Sequence, residues 1–285
     1  MFRTVLGTWV LLICLLCCLT METDAKVLGY WAFKTKKDIG KDLSPNRNHG
    51  ELKGEGSAEW TAKGKVGGGI KFDGKSWLEV PHDDSLNVKD EITLMCWAKF
   101  GNPGDFTGDG REQSLIWKYG PFETNKRFWA SYALRIWRPK SQFGSFGFDA
   151  NMTEGRSAVV DKKFPEVDDL EENWFHIAAT ADGTEIRVYT NGKETGKGPQ
   201  RGEFQASDLP LTIGHDLRPI LIHFAFMNGV IDEVIVADKA LTGAEIKEAM
   251  ELGEKGKPLE GYNPIFAVEP EDKLATQWGA IKAER

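Results

Sequence analysis

The sequence predicts an all-β protein: a two-sheet antiparallel jelly-roll sandwich with one short C-terminal helix. Three observations carry that expectation. Turn signals recur at short intervals, from "SPNRNHG", "GKVGGG" and "FDGKS" through "PHDDS" and "GNPGDFTGDG" to "ADGT", "TNGK" and "KGPQRG". Between them lie runs that alternate in polarity or are rich in β-branched and aromatic residues: "EITLMCWAKF", "ASYALRIW", "NWFHIAAT", "EIRVYT", "LTIG" and "GVIDEVIV". A convincing helical signature occurs only once, near the C-terminal end. Many short strands separated by turn residues form sandwiches or jelly rolls rather than βαβ units.

In chain order, the first segment has Arg3, an apolar run from Val5 to Leu19, and the small-x-small triplet Thr23-Asp24-Ala25 before Lys26. This is the pattern of a secretory signal peptide. The run is shorter than the ~20 apolar residues of a spanning helix, and an uncleaved membrane anchor is the alternative. Residues 1–25 are therefore expected to be a signal peptide, 26–253 the jelly roll and 254–285 an extended tail. Cys14, Cys17 and Cys18 lie in the first segment, so the remainder keeps only Cys96 and has no internal disulfide. A domain of this size has core enough to stand without one. The formal charge is −7, to which Arg3, Glu22 and Asp24 contribute −1, leaving −6 on the rest. That balance argues against nucleic acid and anionic membranes as partners.

Within "NWFHIAATADGTEIRVYTNGKE", Asp182-Gly183 and Asn191-Gly192 suit tight turns with positive φ at the centre, so three strands should form a meander. Alternation places Phe175, Ile177 and Ala179 on one face of the first strand and Trp174, His176 and Ala178 on the other. In "LTGAEIKEAMELG", Thr242 and Glu245 have the spacing of a capping box, Gly253 is the expected stop, and Ile246, Ala249 and Met250 form the apolar side. The tail beyond has three prolines and little periodicity.

Several chemistries lack their parts. The five histidines are scattered, with no H-x-H or H-E-x-x-H pair for zinc and no serine elbow. "GKVGGG" precedes a strand, so its glycines serve a turn rather than a phosphate loop. Glu166, Asp168 and Glu171 have the E-x-D-x-x-E spacing of a glucanase catalytic strand. Pro165 and the neighbouring Asp169 and Glu172 instead suit a solvated loop, so a catalytic role is not expected for the triplet.

The segments "GGGIKFDGKSWLEVPHDDSLNVKDEITLMCWAKF", "ENWFHIAATADGTEIRVYTNGK" and "FMNGVIDEVIVADKALTGAEIKEAM" resemble the successive signatures of laminin-G-like, concanavalin-A-like jelly-roll domains of secreted bacterial proteins. The opening "LGYWAFKTKKDIGKDLSPNRNHGEL" is similar to that family's first strand and following loop. The resemblance spans Val27 to about Gly253. It implies a module that binds glycans or proteins, and in many members holds calcium.

Calcium takes six to eight oxygen ligands. Asp42, Asn46 and Asn48 offer oxygens in the loop after the first strand, and the family pattern brings Asp232 of the last strand beside them. Among the aromatics crowded into the middle of the chain, Trp117, Tyr119, Trp129 and Trp137 are the candidates to stack against a sugar. The expected function is a secreted, calcium-assisted, non-catalytic binding module for glycans or cell-surface proteins, located in the periplasm, at the cell surface or outside the cell. A glycoside hydrolase or lyase on the same fold, and a structural envelope component, are the alternatives.

Overall fold

The computed structural model describes residues 25–101, 112–121, 130–137, 145–161, 173–216 and 225–262. Two antiparallel sheets face each other. The eight-stranded sheet runs, in spatial order, β13 (Lys193–Pro199), β12 (Glu185–Thr190), β11 (Phe175–Asp182), β6 (Glu91–Phe100), β15 (Asn228–Ala237), β4 (Gly69–Asp73) and β3 (Glu59–Thr61), with β1 (Val27–Trp31) also paired to β15. The seven-stranded sheet runs β10 (Gly155–Val160), β9 (Ser145–Met152), β8 (Ala130–Trp137), β7 (Glu112–Tyr119), β14 (Leu211–Ile213), β5 (Ser76–Val80) and β2 (Glu51–Gly54). The expected meander is β11-β12-β13, and Asn191 and Gly192 adopt φ of +49° and +71° at its second turn.

Alternation sets the core. Phe175, Ile177 and Ala179 point between the sheets with Leu94, Cys96, Phe146 and Leu134, whereas Ala178 packs on the outer side of the eight-stranded sheet. That outer side is covered by helix α1 (Gly243–Glu254) and the chain after it, through Ile246, Ala249, Leu259 and Tyr262. Thr242 and Glu245 form the full capping box. Gly253 differs from its expected role as stop. It lies inside the last turn, and a Cβ there would come within 2.4 Å of the Trp97 indole nitrogen, so the glycine serves close packing. The positive φ that follows the helix belongs to Gly256 (+66°). The chain from 255 to 262 docks on the sheet, with Leu259 and Tyr262 buried.

Strand β15 lies inside the sheet and pairs with three strands. Its first half pairs with β4 and its second with β1, while β6 lies along its other edge. A bulge between Asp232 and Ile235, with Glu233 at φ +50°, occupies the gap between those partners. Among the described residues no helix is long and apolar enough to cross a membrane.

Candidate functional site

The residues expected to hold calcium are locked into backbone hydrogen bonds instead. Asp42 Oδ1 accepts from the main-chain nitrogens of Tyr30 (2.7 Å) and Ser44 (2.8 Å). Its Oδ2 accepts from Ser44 Oγ and the Asn48 nitrogen, both at 2.6 Å. A carboxylate has about four lone-pair sites, so Asp42 is saturated by donors. The Asn46 and Asn48 side-chain amides donate to carbonyls of β1, Asn46 to Val27 and Leu28, and Asn48 to Leu28 at 2.8 Å. Asp232 serves a different loop: Oδ2 accepts from the Val66 nitrogen and Oδ1 from the Glu233 nitrogen, each at 2.8 Å. Loop and strand signatures thus hold backbone in place, and this donor set does not fit a calcium ion shared by Asp42 and Asp232. Among the described residues no group of three or more His, Cys, Asp or Glu is placed to hold a metal.

The bulge buries two successive acids. Glu233 Oε2 accepts from the Tyr30 hydroxyl (2.6 Å) and the Leu259 nitrogen (3.0 Å), tying the chain after α1 to β1. Burial pushes the Asp232 carboxyl up to about 8, reinforced by Glu233, and the Glu233 carboxyl up to about 7.

The expected sugar-stacking aromatics are placed differently from one another. Trp117 is fully buried and Tyr119 7% exposed, packed on the outer side of the seven-stranded sheet with Ala130, Ala133 and half-buried Leu209. Neither presents an open ring face, since both are buried. Trp137 ends β8 opposite Glu112 and Ser145. Trp129, and the triplet Glu166, Asp168 and Glu171, lie outside the described residues.

Strand register lines up one row across this outer face: Glu51, Glu79, Thr212, Trp117, Ala133, Asp149 and Ala158. At one end of the face, Asp149, itself buried, is held by two arginines. Its Oδ2 takes Nε and Nη2 of Arg135, and its Oδ1 takes Nε (3.0 Å) and Nη2 (2.5 Å) of Arg156. Arg135 Nη1 also pairs with Glu112 at 2.8 Å. With all its lone pairs engaged by guanidinium groups, Asp149 serves as a structural anion.

At the other end the face is open. In β5, Leu78 and Val80 enter the core, so Trp77 and Glu79 point outward and are half-buried. The indole nitrogen of Trp77 donates to Glu79 Oε2 at 3.3 Å, and the ring leans on His215 (centroids 4.8 Å apart) and Phe226 (6.1 Å). Across the strand pair stands exposed Lys53, bonded to Glu51 at 2.9 Å. A Cβ on Gly54 would meet the Trp77 ring at 2.8 Å, so glycine there lets β2 run close beside the indole. The signal was present in "SWLEV": a tryptophan and a glutamate share the polar face of an alternating strand.

Two facing antiparallel sheets with, among the described residues, a single α-helix define a concanavalin A-like sandwich. The chain belongs to the family described as the concanavalin A-like lectin/glucanases superfamily, a laminin G type whose model matches residues 72–247. No curated protein matches the chain. Among solved structures it is similar to domain 4 of AbnA, a GH43 extracellular arabinanase from Geobacillus stearothermophilus, in complex with arabinotriose. The TM-score is 0.56 and the identity 19%, covering 79% of this chain and 98% of that one. The binding domain of Paraclostridial Mosquitocidal Protein 1 follows at 0.55 and 15%, with 79% and 52% covered. The botulinum neurotoxin serotype G binding domain has 0.55 and 11%, with 80% and 51% covered. At these identities the similarity shows the fold, and the match spans about half of each toxin domain.

Proposed function

We propose that this protein is an exported, non-catalytic module that binds glycans at the open corner of the seven-stranded sheet. The observation that carries the reading is the Trp77–Glu79 pair, an aromatic ring fixed beside a carboxylate on a rigid strand, with Lys53 opposite. A sugar's apolar face stacks on the indole while Glu79 accepts and Lys53 donates to hydroxyls, the usual combination of apolar contact and few orienting polar groups. The arabinotriose complex of a similar sandwich supports a saccharide ligand. The basic start, apolar run and Thr23-Asp24-Ala25 support export.

A glycan array followed by titration calorimetry tests this. Trp77→Ala should lower affinity for the captured saccharide about tenfold, equivalent to ~1.4 kcal/mol, with the fold retained. Unchanged affinity would remove Trp77 from the site, and capture of surface proteins with no glycan would assign a protein ligand. Hydrolysis of polysaccharide that disappears when Glu166, Asp168 and Glu171 become Gln or Asn would establish an enzyme instead.

A further inference from the structure

The main-chain nitrogen of Lys26 donates to Asp238 Oδ1 at 2.7 Å, and the Asp238 nitrogen returns a bond to the Lys26 carbonyl at 3.1 Å. This reciprocal pair closes the end of the β1–β15 ladder, one residue before Val27 meets Ala237. It also lines a cleft of about 620 Å³ whose carboxylates, Asp84, Asp90, Glu91 and Asp238, outnumber its three lysines. One of those lysines, Lys89, turns to Glu203 at 3.2 Å as well as to Asp90. More carboxylates than lysines thus line the corner around the nitrogen that follows the small-x-small triplet ending at Ala25.

We infer that Asp238 is the counter-ion built to receive the N-terminal ammonium that the expected cut between Ala25 and Lys26 would expose. The inference rests on the export reading of residues 1–25. A signal-cleaving endoprotease adds water across the bond: the oxygen joins the Ala25 carbonyl carbon, which leaves as a carboxylate, and the protons go to Lys26 nitrogen, which becomes an ammonium. A neutral amide donor at 2.7 Å from a carboxylate becomes a charged one, and charge-assisted hydrogen bonds are roughly twice as strong. Ala25 is buried in the folded protein, so the cut precedes closure of the fold. The uncut chain makes this hydrogen bond with a neutral amide, and the cut chain makes the same bond with a charged donor.

A double-mutant cycle isolates the interaction. The first described strand begins at Val27, so a chain starting at Lys26 contains every described element. That chain, its N-acetylated form and a chain starting at Ala25 are each compared by urea unfolding with their Asp238→Asn counterparts. The substitution should raise the unfolding constant about three- to fivefold more in the free-ammonium form than in the other two, the scale of a well-placed exposed ion pair. Packing of Ala25 cancels within each pair. Equal effects in all three forms would overturn the counter-ion role. Intact mass of the exported protein should start at Lys26. A different start with an intact coupling overturns the processing site alone, and retention of Met1 overturns the export reading on which it rests.

Discussion

Replacing Asp42 by alanine tests whether the loop after β1 is a structural clasp or a metal ligand set. The carboxylate receives four hydrogen bonds of 2.6–2.8 Å, and Tyr30, Ser44 and Asn48, which supply them, are all buried. A buried donor left without its acceptor costs about 1–3 kcal/mol. Four such donors set a ceiling that water entry and loop relaxation reduce, so the expected loss is about 3–5 kcal/mol. Asp42→Asn keeps one acceptor oxygen but turns an NH2 toward two donors, and should lose about 2–3 kcal/mol. Urea unfolding measures both: the midpoint should fall with little change in slope, since the core is unchanged. Wild-type melting should be indifferent to calcium and to chelator, because the oxygens that would bind the ion already accept hydrogen bonds. A destabilisation within about 0.5 kcal/mol, or a calcium-dependent rise in melting that Asp42→Ala abolishes, would refute the reasoning.

Gly253→Ala should destabilise by about 2 kcal/mol in thermal or urea unfolding, although alanine is the better helix former by about 1 kcal/mol, because the new methyl meets the Trp97 ring. A stabilised variant would show that the helix can shift at no cost. The raised carboxyls of Asp232 and Glu233 make stability present below their unfolded values, near 4, and lost as pH rises through about 7 to 8. Glu233→Gln should therefore be nearly neutral at pH 5 and stabilising by about 2 kcal/mol at pH 8.5, and urea midpoints that show no such divergence would argue against a buried proton.

Local pattern determined a good deal of this protein. Alternation in "NWFHIAAT" put Phe175, Ile177 and Ala179 into the core, the Asp-Gly and Asn-Gly dipeptides made the meander, and Thr242 with Glu245 capped the helix. These features depend on residues within a turn or two of each other, where steric and hydrogen-bond preferences act directly. The site was decided by segments distant in sequence. Asp42 and Asp232 are both oxygen-rich positions on paper, but whether their lone pairs are available depends on the nitrogens of Tyr30 and Val66, 12 and 166 residues away. Alternation likewise says that Trp117 and Trp77 leave the core of their strands, and is silent on which outer face becomes covered. Packing buries Trp117 and leaves Trp77 half-open beside Glu79. Periodicity divides a strand into two faces, and only the assembled chain determines which of those faces still meets water.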